Sequence, residues 1–324
     1  MKHDFMDKAK GCLVGLAIGD ALGIHTEGKT PDEIKKQFGF VSDFLSENPA
    51  GSDDTEFALF NALILLKHGK KIDSKIIAGE WREFILPHEG AFKGAGFSQM
   101  MAIENLRKGL EPPQTGMHAH SWSDGLAMRV APFGIIFPGQ PEKACALTIE
   151  DGSVDHSGEG IYSAMAVVSA ISMAMIDASL EKIFDMALNS MPKDSWSYRA
   201  IVKGIEIGST ALNMDDALVK LYNEIPSSYY HWADVAPEAV GLSFGLIAAS
   251  KGNFSDAVLG GVNIGRDTDT IAAIAGAIIG AKIGYGMLPE KWSGKVKTVN
   301  GKCIEMVKDI DLVSIASKLS ELID

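Results

Sequence analysis

Near its C-terminal end the sequence reads Gly260-Gly261-Val262-Asn263-Ile264-Gly265-Arg266-Asp267-Thr268-Asp269-Thr270 and continues directly into an apolar segment, 271–286. The small and polar residues predict a tight turn, and the apolar segment predicts a buried helix after it. Asp267 and Asp269 stand one residue apart, and each is followed by a threonine. In an irregular turn such side chains can converge, and their oxygen atoms suit Mg²⁺ or Mn²⁺. Acids at a helix start also complement the helix dipole, so the motif alone leaves both interpretations open.

A second acidic cluster lies far upstream, where the sequence reads Ser52-Asp53-Asp54-Thr55-Glu56. Ser52 is placed to cap an amphipathic helix, whose first turn would then contain Asp53 and Asp54. A cap uses one or two of these groups, and the segment offers more oxygen atoms than that. If the two acidic clusters meet in space, four carboxylates crowd one site, and bound cations would offset their repulsion. We therefore predict two divalent ions between them.

The remaining patterns predict helices that pack closely. Three glycines are spaced four residues apart in the segment 8–22, and they would let another helix approach: Gly11, Gly15 and Gly19. The apolar segments 161–176 and 271–286 are shorter than the roughly 20 residues of a membrane span, which favours buried helices of an all-α protein. We find no alternating strand and no linker, so one domain over residues 1–324 is the economical interpretation.

Composition limits the classes of partner and the compartment. The 42 acidic residues exceed the 30 basic ones, and a net charge of −12 argues against a surface for nucleic acid. Three widely spaced cysteines, Cys12, Cys145 and Cys303, argue against a disulfide framework and are typical of a reducing cytoplasm. The N-terminus lacks the apolar core of a signal peptide. We expect a cytoplasmic protein that binds neither nucleic acid nor a membrane.

Two carboxylates and two loops complete the candidates. Asp20 and Glu27 lie on either side of the predicted end of the first helix. Asp20 could simply form a hydrogen bond at the helix end, and Glu27 could simply be a solvated carboxylate. The loop 88–96 is flexible by composition. The aromatic segment 227–232 could stack a base or form a hydrophobic lid. His118 and His120, in a polar segment, could be ligands, although an exposed pair of histidines more often has no such role.

Five segments in order resemble the ADP-ribosylglycohydrolases, the dinitrogenase reductase-activating glycohydrolase and ADP-ribosyl-acceptor hydrolase group. The resemblance covers nearly the whole chain. The segments are Gly15-Leu16-Ala17-Ile18-Gly19-Asp20-Ala21-Leu22-Gly23 with Glu27, Ser52-Asp53-Asp54-Thr55, Met128-Arg129-Val130-Ala131-Pro132, His156, and Asn263-Ile264-Gly265-Arg266-Asp267-Thr268-Asp269-Thr270-Ile271-Ala272. The resemblance implies a single compact domain of orthogonal helices, with two Mg²⁺ ions (or Mn²⁺) at the base of a cleft.

The resemblance also implies an activity and a set of metal ligands. The enzyme would hydrolyse the glycosidic bond at ribose C1″ of an ADP-ribosylated protein side chain or small acceptor and release ADP-ribose. Glu27 would be the acid/base or water-positioning residue, and Asp54 and Asp269 would also take part in catalysis. The residues that would ligate the metals are Ser52, Asp53, Asp54, Asp267, Asp269 and Thr270.

Substrate binding is assigned through the same resemblance. A glycine-containing loop at Asp124 and Gly125 would bind the diphosphate through main-chain N–H groups. The residues that would contact the substrate are Asp20, Asp124, Gly125, Leu126, Arg129, His156 and Arg266. Partners would be ADP-ribose-containing small molecules or ADP-ribosylated proteins, and the protein would be a monomer or a small homo-oligomer.

Two departures from the family pattern leave the acceptor open. Arg266 stands where many members have glycine, which places a bulky cation near the metal ligands. Some members carry an acid in the loop before the helix that starts at Phe97, and Gly94-Ala95-Gly96-Phe97-Ser98 has none. Two alternatives therefore stand beside the ADP-ribosyl hydrolase. One is a glycohydrolase of a smaller nucleoside or nucleotide, and the other is a non-enzymatic relative that binds ADP-ribose.

Overall fold

The fold of this chain is built from helices. A computed structural model describes residues 2–88, 95–227 and 229–324. Within these ranges the chain forms no β-sheet, and one isolated β-bridge pairs Ser123 with Val235. The prediction of an all-α protein is therefore confirmed. The predicted flexible loop at 88–96 and the aromatic segment 227–232 lie partly outside the described residues.

Polar side chains begin several of the helices by accepting a hydrogen bond from the N–H three residues on, as Asp73 does from Ile76 and Asn213 does from Asp216. Short 3₁₀ helices lie at Asp124–Arg129, Tyr285–Met287 and Glu305–Val307. The α-helices are α1 (Lys2–Gly23), α2 (Pro31–Phe38), α3 (Asp53–His68), α4 (Ser74–Phe84), α5 (Phe97–Arg107), α6 (Ala131–Ile136), α7 (Pro141–Gly152), α8 (Glu159–Ala174), α9 (Leu180–Asn189), α10 (Trp196–Thr210), α11 (Met214–Glu224), α12 (Ala236–Ala249), α13 (Phe254–Asn263), α14 (Thr268–Ile283), α15 (Glu290–Ser293) and α16 (Leu312–Glu321).

The C-terminal region differs from what the sequence predicts. Apolar periodicity predicts helix over 306–322, whereas α16 begins only at Leu312. Asp309 has a φ angle of 60°, which a continuing helix does not allow. Asp311 then caps α16 by accepting a hydrogen bond from the N–H of Ser314 at 2.7 Å. Helices α2, α6 and α15, which are short and begin beside a proline, were not predicted, although Thr30 and Glu33 form a capping box at the start of α2.

Helices α1 and α14 pack together through glycines on both. A Cβ atom at Gly11, Gly15 or Gly19 would overlap main-chain atoms of α14, and a Cβ atom at Gly276 or Gly280 would overlap main-chain atoms of α1. The spacing of glycines in α1 predicts this close approach. As a result the C-terminal end of α1 lies beside the N-terminal end of α14.

The turn between α13 and α14 contains fewer residues than the glycine-rich sequence from Gly260 predicts. Gly260 and Gly261 belong to α13, which runs to Asn263. The reversal of the chain depends instead on Gly265 and Arg266, whose φ angles are 83° and 68°. Helix α14 begins immediately after this corner, with Asp267 at its N-cap position.

Main-chain hydrogen bonds join this corner to the turn that follows α1. The N–H of Arg266 donates to the carbonyl of Lys29 at 3.0 Å, and the N–H of Gly28 donates to the carbonyl of Arg266 at 2.9 Å. Glu27 precedes Gly28 and is therefore carried to the start of α14. None of the helices in the described ranges is long and apolar enough to cross a lipid bilayer.

Candidate active site

The two acidic clusters, from opposite ends of the chain, lie together at one cavity. One carboxylate oxygen from each of Asp20, Asp54 and Asp269 lies within 4.8 Å of the others, and the same holds for Glu27, Asp267 and Asp269. The cavity that these groups adjoin has a volume of about 740 Å³. The three elements that form its base are the end of α1, the first turn of α3 and the start of α14.

Most of the residues predicted for the site line this cavity, and the others lie around it. The predicted residues on its wall are Glu27, Ser52, Asp53, Asp54, Asp124, Gly125, Asp267, Asp269 and Thr270. The predicted residues outside the wall are Asp20, Leu126, Arg129, His156 and Arg266. In the second group Arg266 is partly exposed and the other four side chains are buried. The contacts of these five side chains indicate their roles.

Asp20 is buried and holds the first turn of α3. Its carboxylate accepts hydrogen bonds from the N–H groups of Ser52 at 2.7 Å and Thr55 at 3.1 Å, and from both of their hydroxyls. Ser52 occupies the predicted N-cap position, but its hydroxyl donates to Asp20 and makes no capping bond. Asp20 thereby fixes the helix turn that presents Asp53 and Asp54 to the cavity.

Burial and mutual repulsion raise the pKa values of these carboxyls. The pKa of Asp20 rises to about 7, first because the group is buried and then because of the charge on Asp269. Burial also raises the pKa values of Asp53 and Asp54 well above their ordinary range. The pKa of Glu27 rises to about 8, chiefly through the charge of Asp269 and then through burial. Bound cations would reverse these shifts by stabilising the ionised carboxylates.

Two carboxylate oxygens at the cavity have no hydrogen-bond partner in the described part of the chain. They are Asp54 Oδ1 and Asp124 Oδ2, both fully buried. Buried carboxylate oxygens without a donor are costly, and a hard divalent cation satisfies them. The oxygen-only donor set of this cavity therefore fits Mg²⁺ or Mn²⁺.

Arg129 is buried in a cluster of ion pairs beneath the cavity. Its Nε donates to Asp151 at 2.9 Å, and its Nη1 and Nη2 donate to Asp155 at 2.6 and 2.8 Å. Although burial opposes it, the charges of Arg129 and His156 hold the pKa of Asp155 below its ordinary range. Nη1 also donates to the carbonyl of Gly125 at 3.2 Å, which ties this cluster to the cavity wall.

His156 and Leu126 belong to the same support. His156 Nε2 lies 3.1 Å from the hydroxyl of Ser123, and its Nδ1 lies 2.8 Å from Asp155 Oδ1. Leu126 is fully buried in the 3₁₀ helix Asp124–Arg129. The segment at Asp124 and Gly125, predicted to be a loop, is therefore part of a short helix. Buried Arg129 and His156 support this helix through their hydrogen bonds to Gly125 and Ser123.

Arg266 does not line the cavity, and its guanidinium is bound to neighbouring groups. Its guanidinium donates to Glu238 Oε2 at 2.7 Å and to the carbonyl of Trp232 at 2.7 Å. Glu238 is buried and also accepts a hydrogen bond from the N–H of Ser227 at 2.6 Å. Arg266 thus fastens both described ends of the aromatic segment 227–232 to the start of α14.

An aromatic cluster adjoins one side of the cavity. Phe97, at the start of α5, lies 5.1 Å from the ring of Trp122 and 5.5 Å from that of Trp232. Tyr230 lies 4.9 Å from Trp122, and His120 lies 6.0 Å from Trp232. His120 therefore belongs to this cluster, and neither it nor His118 lines the cavity.

Two acids and a lysine on the cavity wall were not assigned from the sequence. Asp234 accepts a hydrogen bond from the N–H of Phe97 at 3.3 Å. Glu56 is buried and accepts from the N–H groups of Lys302, Cys303 and Ile304 at 2.9, 2.8 and 2.7 Å. Lys302 lies on the wall through this attachment. Glu56 belongs to the quoted acidic cluster, whereas nothing local to the sequence around Asp234 signals its position.

Known proteins resemble this chain over most of its length. A family model described as ADP-ribosylglycohydrolase matches residues 1–323. An uncharacterised protein of Archaeoglobus fulgidus is 32% identical over 98% of this chain and 97% of its own length. The ADP-ribosylarginine hydrolase Tri1 of Pseudomonas putida is 26% identical over 90% of this chain and 74% of its own length. A solved structure titled ADP-ribosylglycohydrolase-related protein complex shares the fold, with a TM-score of 0.71 at 21% identity and 99% coverage of both chains.

Proposed function

This chain belongs to the ADP-ribosylglycohydrolase family, and we propose that it is a metal-dependent hydrolase of the glycosidic bond at ribose C1″ of ADP-ribosylated substrates. The family resemblance found in the sequence is thereby confirmed. A glycohydrolase of ADP-ribosylated substrates is the activity that membership supports. The observation that carries the metal-dependent proposal is the meeting of the two acidic clusters at one cavity, where Asp54 Oδ1 lacks any donor in the described ranges.

Two Mg²⁺ ions, or Mn²⁺, would be held by six side chains of the cavity base: Ser52, Asp53, Asp54, Asp267, Asp269 and Thr270. When bound, such ions act as Lewis acids that polarise oxygen atoms of the substrate or of water and offset developing negative charge. Asp54 and Asp269 each offer a carboxylate oxygen within 4.8 Å of the other and of Asp20, and Asp269 does the same with Asp267 and Glu27. We propose that Asp54 and Asp269 contribute to catalysis by positioning the reacting groups.

Glu27 is placed to move the proton. Its carboxylate is crowded by Asp267 and Asp269 in the cavity, while part of the residue stays exposed to solvent. A carboxylate in this position can accept a proton from the attacking water and return one to the leaving group. Its exposed position allows exchange of that proton with bulk water after each turnover.

The substrate would lie against the wall formed by Asp124 and Gly125. The residues predicted to bind it from outside this wall would act by positioning: Asp20 through α3, Leu126, Arg129 and His156 through the 3₁₀ helix, and Arg266 through the aromatic segment 227–232. We further propose that residues 1–324 act as one domain, because the site is built from both ends of the chain. An ADP-ribosylated protein or an ADP-ribose-containing small molecule would be the partner.

Calorimetric titration of ADP-ribose tests this proposal. Titrations are made into the protein with Mg²⁺ and again with EDTA, alongside hydrolysis assays on arginine- and serine-linked ADP-ribose. We expect metal-dependent binding near the micromolar range, about −8 kcal/mol, and metal-dependent release of ADP-ribose. Cleavage of a simple nucleoside without affinity for ADP-ribose would favour the smaller-substrate alternative. Tight binding with no cleavage of any substrate would favour the non-enzymatic one.

A further inference from the structure

A run of lysines lies near the cavity in a chain that is acidic as a whole. Residues 291–302 contain four lysines and no acid, whereas the chain has 42 acidic and 30 basic residues. The four lysines are all exposed: Lys291, Lys295, Lys297 and Lys302. None of them belongs to the proposed metal ligands or substrate contacts, so the proposed chemistry gives this positive charge no role.

A second, smaller pocket adjoins the active-site cavity, and we call it the lysine groove. Its volume is about 350 Å³, and Ala50 and Asn300 line both it and the cavity. Its polar lining residues are Glu47, Asn48, Lys295, Lys297, Thr298 and Asn300. Because two residues line both spaces, a substrate that leaves the cavity past Ala50 and Asn300 enters the lysine groove.

The backbone that carries the lysines of the groove is anchored by hydrogen bonds. The carbonyl of Lys297 accepts from the N–H of Leu312 at 3.0 Å, and the carbonyl of Val299 accepts from the N–H of Asp309 at 3.0 Å. Val299 is buried, whereas Lys295 and Lys297 are exposed. An ordered segment therefore presents the two lysines, which lowers the entropy that a ligand must overcome on binding.

The charge of the lysine groove is positive and largely unpaired. In the described ranges no ion pair involves Lys295 or Lys297. The Nζ atom of Lys295 lies 5.8 Å from the ring centre of Phe44. Glu47 is the one acid among the described residues that line the groove. Two ammonium groups therefore stand against one carboxylate, and this excess attracts an anionic ligand.

The lysine groove lies beyond the space that the ADP-ribosyl group needs. The cavity of about 740 Å³ falls within the range of roughly 300–1,000 Å³ that encloses small-molecule ligands. Lys295 and Lys297 are not on its wall. If the cavity holds ADP-ribose, the part of the substrate that extends from it is the acceptor. The groove would therefore recognise charge on the acceptor.

We propose that the lysine groove docks a carboxylate-rich segment of an ADP-ribosylated protein, beside the modified residue that enters the cavity. This inference rests on the proposed function and specifies which protein substrates are preferred. Lysines are flexible point charges that suit carboxylates at varied positions, and the neighbouring asparagines and Thr298 add hydrogen-bond donors. A nucleic acid fits less well, because a net charge of −12 repels a long polyanion and none of the described lining residues is aromatic.

The first test compares ADP-ribosylated peptides that differ only in charge, made with an arginine linkage and with a serine linkage. One peptide has glutamates on both sides of the modified residue, and the other has glutamines there. At low ionic strength the wild type should cleave the acidic peptide with a kcat/KM about tenfold higher, and Lys295→Gln/Lys297→Gln should lower this ratio below about threefold.

The matched control is Lys193→Gln/Lys318→Gln, which removes two exposed lysines elsewhere and should keep the ratio of the wild type. A wild type that cleaves both peptides equally well overturns the proposal. An unchanged ratio in Lys295→Gln/Lys297→Gln, or an equal fall in the control, overturns it as well.

Fluorescence anisotropy with the unmodified acidic peptide gives a readout that does not depend on turnover. With Mg²⁺ present, the wild type should bind this peptide about tenfold more tightly than Lys295→Gln/Lys297→Gln does, and the two ADP-ribose affinities should agree within about threefold. Failure of the wild type to cleave any of the peptides contradicts the proposed function, whereas equal binding of the acidic peptide by the two proteins contradicts the docking site.

Two further results would give the lysines another ligand and overturn the proposal. A tenfold loss of ADP-ribose affinity in Lys295→Gln/Lys297→Gln would assign them to the diphosphate. Tighter binding of a single-stranded oligonucleotide than of an acidic peptide of equal charge would assign them to nucleic acid.

Discussion

Gly15 of α1 and Gly276 of α14 bring two helix backbones into direct contact. A Cβ atom on either residue would overlap the carbonyl oxygen of the other. The contact lies about one and a half helical turns from Asp20 on α1 and about two turns from Asp269 on α14. It therefore fixes the separation of two carboxylates whose oxygen atoms approach within 4.8 Å.

Gly15→Ala should destabilise the protein by about 3 kcal/mol, because a methyl group would force α1 and α14 apart. The matched control is Gly79→Ala in α4, where a Cβ atom meets nothing within 4 Å. That change should stabilise the protein by about 0.5–1 kcal/mol through helix propensity. Urea denaturation measures both values. Similar small effects at the two positions would mean that the α1–α14 contact is looser than described.

Asp269→Asn should remove the metal site. We expect Mg²⁺ affinity, measured by calorimetry, to fall by roughly 100-fold or more, since a charged ligand is lost. Turnover should fall with it. In EDTA the melting temperature should hold or rise, because the change relieves repulsion with Asp20 and Glu27. Asp256→Asn, at an exposed position in α13, is the control. Unaltered metal binding and turnover in Asp269→Asn would show that the metal assignment is wrong.

The metal-free protein should lose stability as the pH rises from about 4 to about 8. The folded pKa values of Asp20 and Glu27 are raised, to about 7 and about 8, so the folded state binds their protons more tightly than the unfolded chain does. Their contribution is therefore most favourable below the unfolded pKa values and is lost as the pH passes the folded ones.

Thermal melting in EDTA and in Mg²⁺ across this pH range measures the effect. The difference in melting temperature between the two conditions should widen with rising pH, because cations replace the lost protons. Asp269→Asn should show a shallower dependence in EDTA. A melting temperature in EDTA that rises steadily from pH 5 to pH 8 would contradict the description of these carboxyls.

Glu56→Gln should loosen the cavity wall that carries Lys302. The carboxylate of Glu56 accepts three main-chain hydrogen bonds, and an amide accepts fewer and carries no charge. We expect a loss of about 1–3 kcal/mol and faster hydrogen exchange at Lys302, Cys303 and Ile304. Glu305→Gln, an exposed neighbour, should change neither quantity. Unchanged exchange at those three amides in Glu56→Gln would show that the attachment is not formed in solution.

Much of the fold and of the site could be predicted from local patterns. Apolar periodicity indicated most helices, and the spacing of Gly11, Gly15 and Gly19 indicated the close packing of α1. The predicted helices were wrong where a helix boundary depends on backbone angles, as at Asp309. They were also incomplete where a helix is too short to show an apolar period, as in α6. Such features carry little signal in composition.

The sequence by itself determined the fold class, the family and the two acidic clusters, because helix periodicity and motif spacing are properties of neighbouring residues. Only the tertiary structure decided the partner of each polar group. Glu56 meets main-chain N–H groups about 246 residues away, and Asp234 reaches the start of α5 from 137 residues away. Such pairings form because a buried charge must find whatever donor the packed helices bring near it, and no local pattern encodes that outcome.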